Sequence, residues 1–236
     1  MQVAPGLHLV DGMGRVVNAY IWERPDRGLT LIDAGMPHDA AKILAFVQKL
    51  GPGRLDRIIV THGDIDHVGG LAAVQAASGA RIICHAVEKA VIEGRQTRQM
   101  GFSLGARAYG PLFDFATRAI LRYQPVQQVD ELVLDKQMLV EGFQVVHVPG
   151  HTAGQIALFE PRRGLLITGD ALNNRRDKLG LPPAIASPHM DMAKDSIRKL
   201  AALQGVQIIV FGHGVPIMRD AGERLSEFAE SITSNS

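Results

Sequence analysis

A chain of 236 residues with 46% hydrophobic and 21% charged residues has the balance of a globular protein that buries one large core, far from disordered or collagen-like compositions. A formal net charge of +1 supplies no excess of cations for a polyanion, so no nucleic-acid partner is expected. Met1 to Gly14 has neither a basic start nor an apolar stretch of signal-peptide length, and no segment approaches the roughly 18 apolar residues of a membrane span. The single cysteine, Cys84, reads as a small buried residue in Arg81-Ile82-Ile83-Cys84, and a cytoplasmic protein without membrane contact is the expectation.

In chain order, short apolar stretches at His8 to Val10, Val16 to Trp22 and Leu29 to Ile32 predict consecutive antiparallel strands. Ala40, Ile43, Leu44 and Val47 recur at helical spacing, so Asp39 to Leu50 is expected as a helix that stops at Gly51-Pro52-Gly53. Arg57 to Val60 reads as a buried strand, His67 to Ala77 as a helix, and Arg81 to Cys84 as another buried strand. The stretch from Val87 to Tyr123 interrupts this alternation and is read as a helical insertion over one face. Strands follow at Glu131 to Leu134, Met138 to Val140, Gln144 to Val148, Ile156 to Phe159 and Leu165 to Thr168. A helix at Met190 to Leu203, a strand at Gln207 to Phe211 and a helix at Ala221 to Ile232 complete the chain. Two sets of strands, each with helices to cover its outer side, predict an α/β fold: one domain, residues 1–236, built as a four-layer αββα sandwich with the insertion at about 87–123.

The segment Thr61-His62-Gly63-Asp64-Ile65-Asp66-His67-Val68-Gly69-Gly70 directly follows a predicted strand and packs four potential metal ligands into six residues. A rigid strand end aims side chains at a crevice while glycines let the backbone turn, and a mixed nitrogen and oxygen donor set suits a catalytic centre. Val148-Pro149-Gly150-His151, Ile167-Thr168-Gly169-Asp170 and Val210-Phe211-Gly212-His213-Gly214 each follow a predicted strand and each set one ligand beside glycine.

With Gly28 to Gly35 ahead of them, these segments make the chain resemble the metallo-β-lactamase fold superfamily over nearly its whole length. The resemblance implies two adjacent metal sites: a first of His62, Asp64, His151 and Asp170, and a second of Asp66, His67, Asp170 and His213, with Asp170 bridging. It also implies that Asp33 accepts a hydrogen bond from a metal-site group, and that a metal-held hydroxide attacks a carbonyl, with Asp66 orienting it and shuttling a proton. Zinc is the first expectation for the two divalent ions. Asp64 stands where the family most often has histidine, and its harder oxygen donor keeps iron and manganese as alternatives.

The expected activity is hydrolysis of an ester, lactone or thioester of a small, partly apolar substrate. Phe102, Tyr109, Phe113, Phe115 and Tyr123 on the insertion would wall the pocket. A glyoxalase-II-like thioesterase and an iron-dependent oxygenase or redox protein on the same fold are the alternatives. Arg175 and Arg176 are candidates for pairing with an anionic substrate, while Arg95, Arg98, Arg107, Arg118 and Arg122 read as a solvated helix face. A homodimer is left open.

Overall fold

Short strands joined by tight turns open the chain in the computed structural model, which describes residues 1–13, 17–51, 53–101, 120 and 123–232. β1 (Gln2–Ala4), β2 (Leu7–Leu9), β3 (Tyr20–Glu23) and β4 (Gly28–Ile32) pair antiparallel in sequence order, as expected of this region. The strand anticipated from Val16 begins only at Tyr20, and β1 is too short to show an alternating pattern. β5 (Arg54–Ile59), β6 (Arg81–His85) and β7 (Glu131–Val133) extend the same sheet in parallel, giving the order β1-β2-β3-β4-β5-β6-β7.

Parallel neighbours need crossover connections, and helices supply them. α1 (Ala40–Leu50) joins β4 to β5 and packs against the helix that joins β5 to β6. That second connection is not the single helix its periodicity predicts: α2 (Ile65–Val68) and α3 (Leu71–Ser78) are separated at Gly69-Gly70. The break has a steric cause, because a Cβ at Gly70 would sit 2.4 Å from the Ala34 carbonyl oxygen, and the Gly70 amide donates to Gly35 O at 3.2 Å. Ile43 and Phe46 of α1, Leu71 and Val74 of α3, and Leu31, Ile58, Ile82 and Cys84 of the sheet form one buried cluster. Each such side chain contributes roughly 1.5–3 kcal/mol on burial. On the opposite face of the same strands Trp22, Ile32, Ile59 and Ile83 are equally buried.

Of the expected insertion, α4 (Lys89–Ile92) is described, and Tyr123 is buried with its hydroxyl donating to Ile92 O at 3.4 Å. Phe102, Tyr109, Phe113 and Phe115 lie outside the described residues.

The chain forms two compact units, one of Met1–Arg98 and Ser103–Val133, the other of Gln99–Phe102 and Leu134–Ser236. In the second unit β8 (Gln144–His147), β9 (Ile156–Glu160) and β10 (Leu165–Ile167) pair antiparallel. A hairpin of β11 (Asn173–Arg175) and β12 (Lys178–Gly180) follows, and β13 (Ile208–Val210) then pairs parallel to β10. The hairpin turns at Arg176 and Asp177, both with positive φ (53° and 61°), where Asn-Gly is the usual signal; the turn chemistry therefore hides it from sequence reading. Arg224 fastens it by donating to the Asp177 carbonyl and carboxylate at 3.0 and 2.9 Å. The strand expected at Met138 to Val140 shrinks to a single bridge between Met138 and Gln144, with Met138 and Val140 exposed.

α5 (Met190–Ala201) and α6 (Ala221–Ser231) pack on each other. Their Ile197, Leu200 and Leu225 share a buried cluster with Phe159, Leu166 and Ile209 of the sheet. Each unit is thus a sheet with helices on one face, the components of the predicted layers. Among the described residues no helix is long and apolar enough to cross a membrane.

Candidate metal centre

In the first unit, two strand ends and the short helix α2 converge on one carboxylate. β4 ends at Asp33, whose positive φ of 59° is tolerable for Asp because its short polar side chain can bond locally. The Asp33 amide donates to Ile59 O at 3.0 Å, so the residue is moored to the end of β5. Its carboxylate accepts the Thr61 amide at 2.8 Å, the Thr61 hydroxyl at 2.7 Å and His67 Nδ1 at 2.8 Å.

These bonds determine which nitrogen of each neighbouring histidine carries the proton. A carboxylate only accepts, so His67 Nδ1 must be the donor and Nε2 keeps its lone pair. The Thr61 hydroxyl spends its proton on Asp33, so it accepts from His62 Nδ1 at 2.9 Å, and His62 Nε2 likewise keeps a lone pair. Both Nε2 atoms are buried, in rings tilted by 47° with centroids 4.1 Å apart. They are directed at carboxylates: His62 Nε2 lies 3.8 Å from Asp64 Oδ2 and His67 Nε2 lies 4.0 Å from Asp66 Oδ2. The sequence placed His62, Asp64, Asp66 and His67 in one constellation, and this unit brings all four together.

The loop that carries Asp64 is gripped twice more. The Gly63 amide donates to Glu88 Oε2 at 2.8 Å, and Asp64 accepts a two-pronged ion pair from Arg98, through Nε to Oδ1 and through Nη2 to Oδ2 at 3.1 Å. The expectation that Arg98 belongs to a solvated face is corrected here: its side chain is only 9% exposed.

In the second unit, His151, Asp170 and His213 come together from the ends of β8, β10 and β13. Asp170 Oδ2 stands 3.0 Å from His213 Nε2 and 3.7 Å from His151 Nε2. His151 Nδ1 is hydrogen-bonded to Ser187 Oγ at 3.0 Å, so again one ring nitrogen is held by the protein while the other turns to a carboxylate. The His151 loop needs glycine before it, because Gly150 has φ 138° and a Cβ there would lie 2.3 Å from the Ala193 amide nitrogen of α5. The Gly212 amide donates to Gly169 O at 2.9 Å and the Asn174 amide to His213 O at 3.2 Å, tying the Asp170 and His213 loops to each other.

Thr61, Ser187, Glu88 and Arg98 escape the sequence reading as parts of the site. Asp33 had the one legible signal, its place before glycine at a strand end. His8, His38, His85, His147 and His189 remain outside these two ligand groups. His147 braces the His151 loop by donating from Nε2 to Ala153 O at 2.9 Å.

Imidazoles with one nitrogen fixed by a protein partner and the other turned to a carboxylate are the donor set of a bound transition-metal ion. The residues in each unit fit that role.

The metallo-beta-lactamase superfamily profile matches residues 12–213, and the chain belongs to that family. The probable metallo-hydrolase YflN of Bacillus subtilis (strain 168) is 29% identical over 93% of this chain and 89% of its own length. A hydroxyacylglutathione hydrolase of Ectopseudomonas mendocina (strain ymp) is 30% identical over 69% of this chain, which spans about half, 51%, of that enzyme. The crystal structure of a metallo-beta-lactamase family protein from Thermus thermophilus superposes with a TM-score of 0.75 at 22% identity, over 99% of this chain and 81% of that one. The α/β fold class expected from the sequence is therefore the observed one.

Proposed function

We propose that this chain is a metal-dependent hydrolase acting on an ester, lactone or thioester of a small, partly apolar substrate. The observation that carries the reading is the Asp33–Thr61 network, which holds His62 and His67 with both Nε2 lone pairs presented. A cation is the partner such an arrangement suits. Family membership and the likeness to a probable metallo-hydrolase support hydrolysis as the chemistry.

In this reading the ligand sets are those the family resemblance implies: His62, Asp64, His151 and Asp170 would hold one divalent ion and Asp66, His67, Asp170 and His213 a second, with zinc first and iron or manganese as alternatives. The ions would lower the pKa of water toward neutrality and polarise the substrate carbonyl. The side chains do the rest. Asp33 keeps the two histidines from rotating or exchanging protons. Asp66, 26% exposed and lying beside His67 Nε2, accepts a proton from the attacking water and returns it to the leaving group. A small-molecule substrate is the only partner this chemistry calls for, with neither nucleic acid nor membrane involved.

A thioesterase of the glyoxalase-II kind is the second reading, favoured by the 30% identity to a hydroxyacylglutathione hydrolase. Only about half of that enzyme is matched, so its substrate is carried over as an alternative alone.

The test combines metal analysis by inductively coupled plasma mass spectrometry with turnover of a panel of esters, lactones and thioesters. Metal-loaded protein that cleaves at least one class, with Asp66→Ala lowering kcat by 100-fold or more (on the order of general-base effects), is the expected result. Metal-free protein, or turnover untouched by Asp66→Ala, refutes the reading.

A further inference from the structure

Resting on the metal-centre reading, we infer that Arg98 is a positioning residue that balances the charge of Asp64 and holds the first metal position to weak, reversible occupancy. The argument starts from charge. A histidine at the Asp64 position would be neutral; the carboxylate adds one negative charge, and the guanidinium of Arg98 returns one positive charge to the same place. The pair is two-pronged and largely removed from water, with Arg98 9% and Asp64 17% exposed, so solvent screens it little.

Each Asp64 oxygen gives one acceptor direction to Arg98, Oδ1 to Nε and Oδ2 to Nη2. A carboxylate has about four such directions, so a two-pronged ion pair does not by itself bar a cation. A cation bound there nevertheless faces a guanidinium across the carboxylate and competes with it for the same electrons. Both prongs also fix the direction in which Asp64 Oδ2 faces His62 Nε2, 3.8 Å away. The clamp is reinforced from the same stretch of chain, because Glu88 holds the adjoining Gly63 amide at 2.8 Å. Residues 88 and 98 together keep the loop from yielding to a metal ion by simple rearrangement.

The second position is backed by the opposite charge. Its His67 donates from Nδ1 to the Asp33 carboxylate at 2.8 Å, and an anion behind an imidazole makes the far nitrogen a stronger donor to a metal. The consequence is ordered loading: the second position fills first, and the first position fills as free metal rises. The experiment is isothermal titration of chelator-stripped protein with zinc chloride alone, for wild type, Arg98→Gln, Arg98→Lys and Asp64→Asn/Arg98→Gln, alongside thermal melts of the metal-free forms. Wild type is expected to bind one zinc tightly and one weakly. Arg98→Gln is expected to tighten the weak zinc about tenfold or more, the size of effect that partners of metal ligands exert. Arg98→Lys, which keeps the charge, is expected to stay near wild type, and the double variant to lose the weak zinc. A residue that merely supported the fold would lower the melting temperature and weaken both ions. Unchanged or weaker binding of the weak zinc in Arg98→Gln overturns the inference while leaving the metal centre standing; absence of any zinc binding in wild type overturns both.

Discussion

Asp33→Asn isolates the contribution of one charge to the candidate centre. Asparagine has the same shape as aspartate and tolerates the positive φ of 59°, so the backbone is spared. With the amide oxygen in the place of Oδ1, the bond to the Thr61 amide survives; the amide NH2 then occupies the place of Oδ2. There it faces the Thr61 hydroxyl at 2.7 Å and His67 Nδ1 at 2.8 Å, two groups that need an acceptor. The NH2 can satisfy His67 only by donating to Nδ1, which moves the imidazole proton to Nε2, where the metal lone pair is required. Outer partners of metal-binding histidines are worth about 10–100-fold in metal affinity, equivalent to about 1.4–2.7 kcal/mol. The metal-free protein should lose about 1.5–3 kcal/mol from a bond to a charged acceptor, or roughly 3–12 °C in melting temperature for a domain of this size. Competition for zinc against a chromophoric chelator reads the first effect and a thermal melt of the stripped protein reads the second. Wild-type zinc affinity in a well-folded Asp33→Asn protein would refute the assignment of tautomers.

Two further outcomes follow from groups away from the centre. Cys84 is fully buried, and burial, aided by the neighbouring Glu88 charge, pushes its thiol up to about 12; native protein at pH 8 should resist iodoacetamide that labels the urea-unfolded chain, and equal rates in the two states would contradict the packing. Burial alone would raise the Asp135 carboxyl, but the His147 amide and the Lys199 ammonium outweigh it and hold the group below its usual 3.8. A carboxyl depressed on folding stabilises fully above that value and loses its contribution as pH falls toward the lower folded pKa. Asp135→Asn should therefore lower the urea midpoint at pH 7 and lose most of that difference at about pH 2. A difference of the same size at both pH values would mean that the charge is not what matters.

The candidate ligands are visible in the sequence because their code is local. His62, Asp64, Asp66 and His67 lie within one loop and one helical turn after a strand, and His151, Asp170 and His213 each sit three or four residues past a strand end. Periodicity found the large strands and helices for the same reason, and failed where geometry departs from the standard signals. The split of α2 from α3 is imposed by contact with the Ala34 loop, and the β11–β12 hairpin turns through Arg176-Asp177 without a glycine. What orients and balances the ligands was hidden, because it comes from far along the chain. Ser187 reaches His151 across 36 residues, and Asp33 reaches His67 and Arg98 reaches Asp64 across 34.

Sequence spacing carries no information about pairs that only folding brings together, and each of these long-range partners bonds to a candidate ligand. The division has a physical consequence for how such a centre can change. The donor atoms are fixed by a strand–loop–helix geometry that tolerates little alteration, as the 2.4 Å approach at Gly70 illustrates. The charge and tautomer of those donors are governed by separate side chains on other elements. On the proposed reading, a substitution at position 98 or 187 would shift metal affinity and loading while leaving every candidate ligand in place, and a comparison restricted to those residues would miss the difference.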